Sequence, residues 1–188
     1  MYIGLDLSLT ATGAVAASDQ NAVEYSGVIK STKKGVHRLA DLKGKVEYLL
    51  DTYQPKFAAV EGYAMGKGGG KQNAGRVFDI GEWGGIVRLL LLERGIPTII
   101  VPPSNLKMFV ALNGNAKKDA MISHVEQRFG FSTQNDNIAD AYGLAIMAQA
   151  FNTGTTPTGH KKEQEALNKV KQIIWAKPAR VRQRRRPA

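Results

Sequence analysis

The sequence predicts an α/β domain built on a mixed five-stranded sheet, a three-strand meander followed by alternating helices and strands, with helices on both faces. Three observations predict it. The first thirty residues hold three short apolar runs separated by turn residues, too closely spaced for a helix between them. Residues 36–150 then alternate long stretches of helical periodicity with two short apolar runs. At 188 residues and 43% apolar content with no cysteine, the chain supports a core but no disulfide, zinc-thiolate site or cysteine nucleophile.

Residues 2–8, 13–18 and 22–30 read as strands, with Gly13 and Asp19-Gln20-Asn21 supplying the breaks. Residues 36–52 read as a helix because Leu39, Leu42, Val46, Leu49 and Leu50 recur at helical spacing, and Gln54-Pro55 stops it. Residues 57–61 form a short buried strand. A glycine-rich loop with Lys67 and Lys71 follows, and residues 74–94 read as a long helix ended by Gly95. Residues 97–101 make the fifth strand, closed by Pro102-Pro103, and Ser104 is placed to cap a short helix. Residues 116–129 and 137–150 complete the body as two helices.

The body is expected to span 1–151. Residues 152–160 have linker composition, and 161–188 read as a basic tail in which Leu167, Val170 and Ile174 fit one amphipathic helix. The net charge of +10 is unevenly spread: from Lys161 onward there are ten Lys/Arg and two Glu, so the body is near neutral. A basic tail ending in Arg184, Arg185 and Arg186 points to nucleic acid. No apolar run approaches a membrane span, and the start lacks a basic leader, so no membrane contact and a cytoplasmic location (bacterial, or that of a phage-infected host) are expected.

Four acids stand where acids are unexpected. Asp6 lies inside the first apolar strand, on the face shared by Tyr2 and Gly4. Glu61 ends an apolar strand. Asp136 and Asp140 are one helical turn apart, and Leu144 and Met147 continue the Asp140 face as an apolar stripe. Read singly, Glu61 is a strand-end acid, and Asp136 serves equally as a helix N-cap or a ligand. Read together, the acids converge on the sheet, where carboxylates repel unless cations bridge them. Oxygen ligands without Cys or a His pair favour Mg²⁺, with Mn²⁺ as a substitute.

The stretches Ile3–Gly13, Val60-Glu61-Gly62-Tyr63, Ser104-Asn105-Leu106-Lys107, Ala116-Lys117-Lys118-Asp119 and Asp136–Ala141 carry a resemblance. In this order and spacing the chain resembles the RuvC family of Holliday-junction resolvases, within the RNase H-like nuclease superfamily. The compact body with its basic tail fits a phage-type or otherwise divergent member. The resemblance implies a homodimeric, Mg²⁺-dependent endonuclease that nicks opposed strands of a four-way DNA junction symmetrically. It implies Asp6, Glu61 and Asp140 as metal ligands, with Asp136 or Asn137 as the fourth; charge favours Asp136. Lys107 and Lys118 match positions where the family uses lysines near the scissile phosphate, a role that Coulomb attraction to developing charge explains. Tyr63 falls near, but out of register with, the aromatic that follows the family's glutamate. Lys67, Lys71, Lys117 and Tyr63 are DNA-contact candidates with the tail arginines.

Other readings stand beside these. The acids alone fit a nuclease of other branched DNA or of RNA–DNA hybrids. Asp6–Gly13 also bears a faint likeness to the phosphate loop of actin-like and sugar-kinase ATP-binding proteins. Trp83 among Gly81, Gly84 and Gly85 reads as packing, on a helix that in relatives contributes to the dimer contact.

Overall fold

The structure is a computed structural model that describes residues 1–63, 74–170 and 172–174. The meander forms as its alternation predicts: β1 (Tyr2–Asp6), β2 (Thr12–Ala17) and β3 (Val23–Ile29) run antiparallel in turn. Helix α1 (Gly35–Tyr53) crosses back to β4 (Phe57–Glu61), which lies parallel to β1. Helix α2 (Ala74–Glu93) crosses to β5 (Thr98–Val101), parallel to β4. Then come α3 (Pro103–Ala111), α4 (Lys118–Phe129), α5 (Asp136–Thr153), α6 (Lys161–Asn168) and β6 (Gln172–Ile174).

The sheet has six strands in the order β3-β2-β1-β4-β5-β6, one more than the five that the sequence predicts. The extra strand comes from the segment expected to be a tail. Leu167 is buried on α6, as amphipathic spacing requires, but the helix stops at Asn168 and Ile174 pairs with Thr98 instead of continuing it. The open edge of β5 accounts for this: an apolar strand edge left unpaired is better covered.

Each sheet face has its own core. Ile3, Leu5, Ala14, Ile29, Ala58 and Val60 pack against α1 and α2. Tyr2, Val15, Ala17, Phe57, Ala59 and Ile99 pack against α3, α4, α5 and α6. On the second face α5 comes unusually close. A Cβ on Gly4 would lie 1.9 Å from the Ala141 carbonyl, and one on Gly13 would lie 2.0 Å from the Asn137 carbonyl. The helix answers with Ala139, Ala141, Ala145 and Ala148, all fully buried. Small residues on both partners therefore lay the start of α5 directly over the ends of β1 and β2.

Helix starts differ from expectation in two places. The N-cap of α3 is Pro102, with Pro103 as its first residue, so Ser104 is already inside the helix. The N-cap of α5 is Asn135, whose side chain accepts from the Ile138 amide at 3.2 Å. Asp136 is thus not the cap.

Candidate active site

β1 and β4 are parallel neighbours, and Leu5 pairs with Val60. Asp6 and Glu61 are the next residue on each strand, so their carboxyl groups meet within hydrogen-bonding reach at the same sheet end. Strand alternation sends Asp6 to the face that α5 covers. The close approach at Gly4 and Gly13 then brings Asp140 and Asp136 over them. One long-range pairing and one close helix contact assemble four acids from three distant stretches.

The electrostatics are those of acids without enough counter-charge. Burial, then repulsion from Glu61, pushes Asp6 up to about 8. Burial, then the charges of Asp6 and Asp136, pushes Asp140 up to about 7. Burial also raises Glu61, while its hydrogen bond with Asp6 works against that rise. Asp136 differs: Lys118 forms an ion pair with it and holds it below the usual carboxylate range.

Both candidate lysines face this cluster. Lys107, half-buried on α3, exerts its charge on Glu61 and Asp140. Lys118, at the start of α4, acts on Asp6, Asp136 and Asp140. Lys117 is exposed beside it. Tyr63, two residues beyond Glu61, is parked on α2. Its hydroxyl donates to the Gly81 carbonyl at 3.1 Å, its ring lies 4.6 Å from the Arg88 guanidinium, and a Cβ on Gly84 would collide with it. Lys67, Lys71, Arg184, Arg185 and Arg186 lie outside the described residues.

The donor set fits a hard divalent cation. Its ligands are all oxygens, and the Asp140 Oδ1 is buried with no hydrogen-bond partner. Among the described residues no three acid or histidine side chains already stand at ligand spacing, so gathering them on one ion requires side-chain rotation.

Sequence reasoning missed two supports of the site. The Thr12 hydroxyl donates to the Ser8 carbonyl at 2.5 Å and accepts from the Ser8 amide at 3.1 Å, closing the turn that follows Asp6. Trp83, fully buried on α2, donates to the same oxygen at 3.0 Å. The packing role read for Trp83 is present, and a polar brace comes with it. The signal was a threonine just past a strand-end acid, which has no partner visible in sequence.

Parallel neighbouring strands that each end in an acid, with a third acid on the helix laid across them, are the arrangement that the resemblance to RNase H-like nucleases implies. A family model described as crossover junction endodeoxyribonuclease RuvC matches residues 2–148. The chain belongs to the RuvC family of crossover junction endodeoxyribonucleases. The RuvC protein of Nocardia farcinica is 31% identical over 112 residues, 58% of this chain and 57% of that protein. The match therefore spans just over half of that relative's length. The RuvC protein of Prochlorococcus marinus is 26% identical over 154 residues, 78% of this chain and 96% of that protein. Thermus thermophilus RuvC in complex with a Holliday junction substrate has a TM-score of 0.67 at 19% identity, covering 82% of this chain and 96% of that one. The yeast mitochondrial Holliday junction resolvase has a TM-score of 0.55 at 13% identity, covering 89% of this chain and 80% of that one. At these identities the solved structures speak to the fold. The family match sets aside the actin-like and sugar-kinase reading of Asp6–Gly13.

Proposed function

We propose that this chain resolves four-way DNA junctions by paired, symmetric nicks, as a homodimer, with Mg²⁺ held by Asp6, Glu61 and Asp140 and by Asp136 as the fourth ligand. The observation that carries the reading is the meeting of buried Asp6 with half-buried Glu61 and Asp140, short of counter-charge, beside Lys107 and Lys118. When bound, a divalent ion there supplies Lewis-acid activation of a water and neutralises charge at the phosphodiester.

The chain's own residues do the rest. Lys107 and Lys118 point positive charge at the position a scissile phosphate would take, and stabilise negative charge that develops on it. Lys118 also fixes the orientation of Asp136. The Thr12–Trp83 brace holds the turn behind Asp6, so the carboxylate is presented on a rigid strand end. Exposed Phe78, Leu89 and Leu92 share one face of α2 with Gly85, which offers a second copy an apolar seam. Two copies facing each other would present two sites to opposed strands, and junction selectivity would come from that geometry and from DNA shape. No helix among the described residues is long and apolar enough to cross a membrane, and a DNA-bearing cytoplasm is the proposed setting.

The test is cleavage of a synthetic mobile four-way junction with Mg²⁺ or Mn²⁺, mapping the nicks. Symmetric paired nicks that Asp6→Asn abolishes are expected. Intact junctions with either metal would overturn the reading, and equal cutting of linear duplex or RNA–DNA hybrid would overturn the junction selectivity.

A further inference from the structure

We infer that the turn between β3 and α1 is a second DNA-backbone contact, in which Lys30, Lys33 and Lys34 bind phosphates of the duplex arm next to the cleaved strand. The inference rests on the nuclease reading above and adds a surface that none of the site residues above include.

Register places the turn beside the acids. Asp6 pairs with Gly13, and Gly13 pairs with Val28. The end of β3 is therefore two strands from Asp6, about 10 Å at the usual strand spacing. That is roughly three base-pair steps along a duplex axis. Val28 shares the Asp6 face by this pairing, and Lys30 follows two residues on, just past the strand end. A DNA arm whose phosphodiester sat at Asp6 would thus pass close to the turn.

Charge makes the turn a phosphate site rather than a solvated loop. Residues 30–38 contain Lys30, Lys33, Lys34, His37 and Arg38 and no acid. The nearby acid is Asp41, already engaged by Lys45 at 2.8 Å and by Lys33 at 3.7 Å. Lys43 and Lys56, by contrast, have acids of their own, Glu47 and Asp19. Lys30 and Lys34 have no ion-pair partner among the described residues, and both are exposed. Like charges gathered without counter-charge repel, and a polyanion offsets that repulsion.

The turn is also ordered, so binding would not have to organise it. The Lys33 amide donates to the Ser31 hydroxyl at 3.2 Å, and Arg38 Nε donates to the Lys33 carbonyl at 3.0 Å. Lys45 donates to the Lys30 carbonyl at 2.6 Å. Gly35, at φ +53°, makes the corner into α1. An acidic peptide would match the charge equally well. Continuity with Asp6 and Lys118 on the same sheet end favours DNA.

The test compares the full-length chain with the combined variant Lys30→Ala, Lys33→Ala, Lys34→Ala. Binding to a labelled four-way junction is followed by fluorescence anisotropy in chelator, from low to moderate salt. Lys56→Ala, at the opposite end of the sheet, is the control. The triple variant should lose about 2–3 from the slope of log K against log salt, at about 0.9 per phosphate contact, and bind roughly tenfold or more weakly. Its melting temperature should not move, and Lys56→Ala should keep the wild-type slope. An unchanged slope in the triple variant, or an equal loss in Lys56→Ala, overturns the inference. Should the triple variant melt early, the single change Lys34→Glu must still flatten the slope, and failure to do so is equally decisive. The two readings separate cleanly. Wild-type cleavage with an unchanged slope sinks only this contact; lysine-dependent binding without any cleavage sinks only the nuclease assignment.

Discussion

Glu163 and Asp6 are both buried acids, but the molecule treats them in opposite ways. Glu163 is fully buried on α6, yet Arg128 forms an ion pair with it, and the Thr158 amide and hydroxyl donate to it at 3.2 Å and 2.8 Å. Arg128 also donates to the Phe109 and Val110 carbonyls at the end of α3. That network pins the C-terminal segment to the body. At the other site Asp6, Glu61 and Asp140 meet chiefly one another, and the Asp140 Oδ1 has no partner. A buried acid surrounded by donors belongs to the fold. A buried acid surrounded by acids is kept there at a cost in stability, and the cost points to what the site binds.

The largest effect should separate activity from stability. Asp6→Asn should lower junction nicking by about 10³-fold or more, the scale of charge stabilisation that losing the proposed ligand would remove. Its melting temperature should stay level or rise, since a repelled buried acid has gone. A variant that lost stability in step with activity would erase the contrast.

Glu163→Ala should do the reverse. Removing one partner of a buried pair strands Arg128, which is only 14% exposed, and should cost about 3–5 kcal/mol in urea unfolding. Nicking per folded molecule should hold near wild type. Unchanged stability would mean that the pair is no staple.

The pH response sharpens the same point. Asp6 and Asp140 have folded-state values of about 8 and about 7, raised from 3.8 by burial and neighbouring acids. The folded chain thus holds these protons more tightly than the unfolded chain. Their contribution to stability is complete below pH 3.8 and is lost as pH climbs through about 7 to about 8. The melting temperature in chelator should therefore carry a falling component across that window, which added Mg²⁺ and Asp6→Asn should each diminish. Asp136, held low by Lys118, has the opposite sign, but solvent screens that exposed pair. A chelator-insensitive profile would remove the metal from the account of these acids.

The smallest effect belongs to the brace. Trp83→Phe keeps the ring in the core but removes its bond to Thr12, at about 1 kcal/mol. Thr12 retains its bonds to Ser8, so the turn should persist. A drop in nicking rate without a change in DNA affinity would show that the brace positions Asp6.

Much of the site was legible in the chain because its signals are local. Asp6 interrupts an apolar strand, Glu61 ends one, and Asp140 heads an apolar helical stripe; alternation and helical periodicity fix their faces whatever surrounds them. Asp136 shows the limit of such reasoning: the cap is its neighbour Asn135, a choice between adjacent capping residues that propensity does not make. The path of residues 161–174 was less legible still. Their basic composition reads as a tail, and the partners that fold them, Arg128 and the β5 edge, are remote in sequence.

By itself, then, the sequence determined which acids leave which face of which element, because side-chain direction follows from short-range periodicity. Only the tertiary structure decided that those faces meet. Parallel pairing set Glu61 beside Asp6, glycines at 4 and 13 let α5 descend until Asp140 closed over them, and the Arg128–Glu163 pair folded the C-terminal segment onto the body. Each of these joins surfaces far apart in the chain, and such joins are settled by complementary shape and charge, which no local pattern records.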